Sequence, residues 1–154
     1  MSFDELYRDV ILDHHRNPRG AGPIHECNAD SAGMNPTCGD EVTVKLHIAD
    51  EKVAEIQVTG HGCAISTASG SMFAERAKGM PLEDLKRLTE SMRRLLKTGE
   101  IPVNEELGDL EALAGVSKFP IRVKCAMLPL VTARQAIEAF EEKRATAVTV
   151  TTEA

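Results

Sequence analysis

The sequence predicts a single α+β domain, one antiparallel β-hairpin set among about five helices. Two observations carry that expectation. The apolar residues switch from a helical rhythm of threes and fours to strict alternation and back again, and the switches fall on Gly and Pro punctuation. Size agrees: 154 residues suit one domain of the usual ~100–200. With aromatics at 3% and no Trp, the core must be mostly aliphatic.

Taken in order, Ser2 and Glu5 read as a capping box, and Phe3, Leu6, Tyr7, Val10, Ile11 and His14 follow one helical face until Asn17-Pro18-Arg19-Gly20 stops it. Residues 20–35 are rich in Gly, Pro, Asn and Ser and read as loop with room for one short edge strand. Strand period follows: Val42, Val44, Leu46 and Ile48 alternate with polar residues, Ala49-Asp50-Glu51-Lys52 turns the chain, and Ala54, Ile56 and Val58 alternate on the way back. A small-residue helix starts near Cys63 and runs to Gly79. Pro81 opens a helix with the stripe Leu82, Leu85, Leu88, Met92 and Leu95, ended by Gly99. Residues 100–118 read as loop with a short helix around Leu107, Leu110 and Leu113. The last helix starts at Phe119-Pro120 and turns Leu130, Ala133, Ile137 and Phe140 inward. Pro129 lies inside it, four residues after Cys125, and predicts a kink or local unwinding there. Residues 1–144 are thus one domain, and 145–154, Thr- and Val-rich without helical rhythm, a flexible tail.

A net charge of −6 argues against a general nucleic-acid binder, which needs a basic footprint. No apolar run approaches the ~18 residues of a membrane span, and the acidic start Met1-Ser2-Phe3-Asp4-Glu5 is unlike a secretory signal. The expected location is the cytoplasm. In that reducing compartment the four cysteines, 27, 38, 63 and 125, point to metal binding or catalysis rather than disulfides.

The chemistry centres on Asn35-Pro36-Thr37-Cys38-Gly39-Asp40. Thiolate and carboxylate are both metal-ligand types, and Gly39 between them lets both side chains bend toward one point. Cys63 falls at a helix start, where free N–H groups favour thiolate, although a small residue packing strand against helix reads equally well. Cys125 stands beside Arg122 and Lys124, which would lower its pKa; alone it reads as a buried helix cysteine. Taken together, Cys38, Asp40, Cys63 and Cys125 would make a complete tetrahedral shell. Closed structural zinc sites usually hold thiolate or thiolate and His; a harder carboxylate ligand suggests a site that opens.

The stretch Leu12-Asp13-His14-His15-Arg16-Asn17-Pro18-Arg19 resembles the end of the first helix of the U-type iron–sulfur cluster assembly proteins. Met34–Asp40, Gly60-His61-Gly62-Cys63-Ala64-Ile65-Ser66 and residues 115–126, ending Val123-Lys124-Cys125-Ala126, are similar to that family's three cysteine motifs, in order. The longer segment 100–118, Lys124 where IscU scaffolds carry His, and the lack of a Leu-Pro-Pro-Val-Lys motif resemble the SufU branch. The resemblance implies a SufE/NifU-like fold, a three-stranded antiparallel sheet flanked by helices. It implies Zn2+ on Cys38, Asp40, Cys63 and Cys125, with Arg122 beside the site. As partners it implies a cysteine desulfurase of the SufS type and a downstream iron–sulfur scaffold. The expected activity is a zinc-dependent sulfurtransferase: a partner side chain replaces Cys38 on the metal, and the freed thiolate attacks a persulfide. The alternatives are a scaffold holding iron or a transient [2Fe–2S] cluster on the same ligands and a non-catalytic zinc-stabilised binding module.

The remaining candidates stay in the background. Cys27 reads as a spectator loop thiol and His61 as surface loop; His14 and His15 pack or cap the first helix end, and His25 and His47 read as exposed. Lys86, Arg87, Arg93, Arg94 and Lys97 read as a solvated helix face, with docking onto an acidic partner the lesser reading.

Overall fold

Two consecutive residues with positive φ, Asp50 at 54° and Glu51 at 60°, join the hairpin strands through the tight turn whose twist matches antiparallel strands. The computed structural model describes residues 3–153, and the side chains of 7–144. The chain runs α1 (Phe3–Arg16), β1 (Ala29–Asn35), β2 (Asp40–Ala49), β3 (Lys52–His61), α2 (Ala64–Ala77), α3 (Leu82–Thr98), a 3₁₀ helix (Gly108–Lys118) and α4 (Pro120–Glu153). β2 is the central strand of an antiparallel β1-β2-β3 sheet. The α+β expectation holds: a three-stranded antiparallel sheet with five helices. No helix among the described residues is long and apolar enough to cross a membrane.

Strict alternation on β2 buries Asp40, Val42, Val44, Leu46 and Ile48 on one face, as a strand period of two requires. α4 packs over β1 and β2, and α2 over β3. The carboxylate of Asp40 therefore belongs to the dry face, at the end of the sheet from which β1 and β3 also open.

On β3 the expected inward set is wrong at one end. Ala54 is exposed and Val53 fully buried. The pairing slips between His47 and Ile48, so that Ile48 faces Val53 while His47 faces Glu55. A bulge of one residue shifts every side chain beyond it to the other face. Asn28 covers the irregularity, its side chain donating to the Ile48 carbonyl at 2.8 Å and accepting from the Ile48 N–H at 2.7 Å.

Other elements also depart from expectation. The edge strand in 20–35 is a full seven residues, paired from Ala29↔Leu46 to Asn35↔Asp40. The short helix around Leu107 is an 11-residue 3₁₀ helix. In a 3₁₀ helix, residues three apart share a face, and Leu107, Leu110, Leu113 and Val116 are all buried. Helix α4 runs unbroken through Pro129, against the unwinding expected after Cys125. The Pro129 ring lies near Gly70 of α2: a Cβ built on Gly70 would stand 3.6 Å from its Cγ. The proline ring thus lies at a helix–helix contact that small residues keep close. The capping box at Ser2 falls outside the described residues, and over 145–153, read from the sequence as a flexible tail without helical rhythm, the backbone continues α4 to Glu153.

Small residues let α2 sit between sheet and α4. Its buried set includes Ser66, Ala68, Ser69, Gly70 and Ser71. Ser69 donates to the Ala126 carbonyl at 2.6 Å, so the helix that begins at Cys63 is tied to the turn of α4 that carries Cys125.

Candidate metal centre

Each ligand candidate arrives from a different element. Cys38 lies on the four-residue turn between β1 and β2, where the N–H groups of Cys38 and Gly39 donate to the Asn35 carbonyl at 3.2 and 2.8 Å. The Asn35 side chain accepts from the Thr37 N–H at 3.2 Å and donates through Nδ2 to the Cys38 sulfur, also at 3.2 Å. Gly39 has φ 72°, a left-handed conformation that a residue with Cβ adopts only at a cost. Asp40 then begins β2 and is 1% exposed.

Cys63 is the N-cap of α2 rather than a residue of its first turn, and its sulfur accepts from the Ser66 N–H at 3.5 Å. Its own N–H donates to Asp40 Oδ1 at 2.9 Å, and its sulfur stands 3.6 Å from Asp40 Oδ2. Gly62 makes this approach possible: a Cβ there would lie 2.6 Å from Asp40 Oδ1. Cys125 is fully buried in α4, and its sulfur is 3.1 Å from that of Cys38.

Donor atoms of Cys38, Asp40 and Cys125 all lie within 4.8 Å of one another, and Cys63 joins them through Asp40. Four side chains of metal-ligand type thus meet at one end of the sheet. A buried carboxyl group set among thiols, with no cation partner among the described residues, is a costly arrangement. A metal ion would relieve that cost, so the donor set fits a soft-to-borderline cation such as zinc or iron.

Electrostatics around Cys125 run against the expectation from Arg122 and Lys124. Burial pushes its thiol well above the ordinary value, and contact with Cys38, Asp40 and Cys63 raises it further. Both basic side chains are exposed and do not offset this. In the metal-free protein Cys125 holds its proton, and only a cation within the cluster would reverse that.

Arg122 lines an open cavity of about 770 Å³ together with Cys63, Tyr7, Ile11, Val116 and Phe119. The cavity borders the cluster on the α2 side. Phe119 and Ile121 are exposed on the same part of α4's start, at 59% and 62%.

The remaining candidates lie elsewhere. Cys27 is exposed before β1, at the far end of the strand that leads to the Cys38 turn. His61 is an exposed β3 residue paired with Glu41 at 3.2 Å. His25 is exposed, but His47 is half-buried between Glu26 and Glu55. On α3, Lys86 pairs with Glu83 and Glu141, Arg87 with Asp84 and Arg93 with Glu90, as a solvated face would. His14 is fully buried, with Ser71 Oγ at 2.7 Å from Nδ1 and Asp109 Oδ2 at 2.7 Å from Nε2.

Sequence reasoning gave no role to Asn35, Gly62 or Ser66, which position the cluster. Asn35 had a readable signal: an Asn three residues before a turn cysteine is placed for side-chain bonds along that turn.

The family model for the NifU-like N-terminal domain matches residues 6–147. The chain belongs to the NifU-like N-terminal domain family. Within it, the chain is 39% identical over 127 residues to a protein of Bacillus subtilis named zinc-dependent sulfurtransferase SufU, covering 82% of this chain and 86% of that one. It is 36% identical over 136 residues to the iron–sulfur cluster assembly scaffold protein IscU of Streptococcus pyogenes, covering 88% and 85%. The crystal structure of a NifU-like N-terminal protein from Brucella abortus superposes with a TM-score of 0.82 at 27% identity, covering 92% and 99%. This is a U-type family with a SufU-like branch.

Proposed function

We propose that this protein is a sulfur acceptor for iron–sulfur cluster assembly in the cytoplasm, taking persulfide sulfur from a cysteine desulfurase of the SufS type onto Cys38. Cys38, Asp40, Cys63 and Cys125 would hold zinc. When bound, zinc keeps the thiols deprotonated and supplies a Lewis-acidic centre. One observation carries the reading: a turn cysteine, half-buried, stands in a cluster whose other members are fixed in a strand, a helix cap and a helix interior. It is the member with the freest backbone, and so the one placed to meet an incoming sulfur. The similarity to SufU of Bacillus subtilis supports the same direction.

The residues divide the work. The Asn35 amide donates to the Cys38 sulfur and so fixes its position at the tip of the turn. The thiolate attacks the outer sulfur of the donor's persulfide; the donor S–S bond breaks, its cysteine leaves as thiolate, and Cys38 carries the persulfide. Asp40, pinned by the Cys63 N–H, forms the inner wall of the cluster and leaves Cys38 as its outward-facing member. Arg122, at the rim of the cavity that reaches Cys63, offers a cation to the incoming anion. A downstream iron–sulfur scaffold would then collect the sulfur.

Sulfur-transfer assays on Cys38→Ala, Cys63→Ala and Cys125→Ala test the assignment, with no transfer expected without Cys38; full activity of that variant would remove Cys38 from the mechanism. The IscU likeness favours a second reading, in which the same three thiols and Asp40 carry a [2Fe–2S] cluster. Metal content after purification without oxygen separates the two: tight zinc supports the acceptor, iron with acid-labile sulfide the scaffold.

A further inference from the structure

The sulfurs of Cys38 and Cys125 are 3.1 Å apart, and both cysteines are free thiols. Two thiolates on one zinc ion, each about 2.3 Å from it, stand about 3.8 Å apart in a tetrahedron. In a disulfide the separation is about 2.05 Å. The metal-free pair lies between these arrangements, so a movement of about 1 Å closes one and a slightly smaller movement opens the other. Cys38 sits on a turn, where side-chain rotation can supply such a movement, and Cys125 is held in α4. Cys63 also contacts Cys125, but its sulfur is held against Asp40 at 3.6 Å and by the Ser66 N–H at 3.5 Å. Cys27 lies at the other end of β1, roughly 20 Å of strand away.

We propose that Cys38 and Cys125 form an oxidation site: in the metal-free protein a hydroperoxide converts them to an intramolecular disulfide that excludes the metal. This goes beyond sulfur acceptance and rests only on the same two residues being ligands. The half-buried Cys38 thiolate attacks the peroxide oxygen, the O–O bond breaks, and Cys38 becomes a sulfenic acid while the leaving oxygen departs as water or alcohol after taking a proton. The Cys125 sulfur then displaces the hydroxyl, and its thiol proton leaves with that hydroxyl as water. Two thiols are oxidised, one peroxide is reduced, and a dithiol reductant restores the pair. Cys125 suits the second role because its burial protects it from the peroxide itself while its sulfur already touches that of Cys38. A bound metal ion opposes the reaction by separating the sulfurs and engaging their lone pairs.

The experiment uses the full chain carrying Cys27→Ser, which removes the exposed thiol, in metal-stripped and zinc-loaded forms treated with a small excess of hydrogen peroxide. The stripped protein is expected to lose two of its three remaining thiols, to lose the mass of two hydrogens as a monomer, and to yield a linked peptide pair containing Cys38 and Cys125. Zinc uptake should fall in proportion and return after dithiothreitol, while the zinc-loaded form keeps its thiols. Adding Cys125→Ser should leave a Cys38 sulfenic acid that a diketone probe traps. Oxygen addition to Cys38 with Cys125 still reduced, a link through Cys63, or equal oxidation of the loaded form would each overturn the proposal. The peptide map of the protein with native Cys38 and Cys125 decides the matter even if the Cys125 variant does not fold.

Discussion

Cys38, Asp40 and Cys125 converge at the end of the sheet, while His14, Glu75 and Asp109 converge where α1, α2 and the 3₁₀ helix meet. In each group the donor atoms lie within 4.8 Å of one another. The groups differ in what those donors already do. His14 uses both ring nitrogens, on Ser71 and Asp109; Ser71 also accepts from the Arg19 N–H at 2.8 Å, and Glu75 lies 3.6 Å from Arg19 Nε. The three ligand-type side chains there are thus already partnered, in a polar clamp joining α1, α2, the loop at Arg19 and the 3₁₀ helix, in which Arg19 Nη1 alone has no hydrogen-bond partner among the described residues. At the sheet end the three thiols and Asp40 mostly face one another, with single N–H donors from Asn35, Cys63 and Ser66 and a long bond from the Cys125 thiol to the Ile121 carbonyl at 3.5 Å. Ligand-type residues brought close are a poor candidate for a metal site when their atoms are already partnered, and a better one when those partners are few.

The largest expected effect breaks the comparison directly. Cys125→Ser or Asp40→Ala should lower zinc affinity by well over 100-fold, more than the roughly 10–100-fold of changes outside the ligand shell. His14→Leu should leave zinc stoichiometry untouched and cost about 1–3 kcal/mol of stability from the stranded polar groups. Metal analysis and urea denaturation read the two. If His14→Leu loses zinc while keeping its fold, the clamp is part of the site.

Next in size is Gly62→Ala. Its Cβ would press on Asp40 Oδ1, and zinc affinity should drop about 10–100-fold with little change in the metal-free fold. Chelator competition measures it; an unchanged affinity would mean that Asp40 does not need this approach.

A pH series sharpens the contrast further. Burial holds the Cys125 thiol protonated in the metal-free protein, so zinc must displace a proton and its affinity should weaken as pH falls from about 8 to 6, with proton release on binding. Calorimetry in buffers of different ionisation enthalpy checks the sign.

The smallest effect lies on the surface. Glu55 raises the pKa of His25, and His25 lowers that of Glu55. The histidine's contribution is present below its ordinary pKa and lost as pH rises through the raised one. The carboxylate's is present above its ordinary pKa and lost as pH falls through the lowered one. In an NMR titration, Glu55→Gln should return His25 toward its ordinary value without altering zinc binding.

Periodicity made most of this fold legible. β2 alternates without exception, the α3 stripe is buried from Leu82 to Leu95, and Gly99 closes that helix in the left-handed conformation. What alternation cannot reveal is a bulge: the slip at His47/Ile48 exchanges Ala54 for Val53 through pairing with another strand, not through local sequence. The spacing of three from Leu107 to Val116 was readable but competes with ordinary helical rhythm over so short a span. Pro129 leaves α4 helical on both sides, so of the kink or unwinding it predicted the unwinding is absent. At the site, the family motifs singled out Cys38, Asp40, Cys63 and Cys125. No sequence rule places an α4 sulfur 3.1 Å from a turn sulfur, or shows that burial outweighs Arg122 and Lys124 at Cys125.

X-ray absorption at the zinc edge of the full, zinc-loaded chain addresses the shared ion most directly. The expected shell is three sulfur atoms at about 2.3 Å and one oxygen at about 2.0–2.2 Å, with one sulfur lost in Cys38→Ser and in Cys125→Ser alike. A shell with histidine nitrogen in place of a sulfur, or one that survives both substitutions unchanged, would contradict the account.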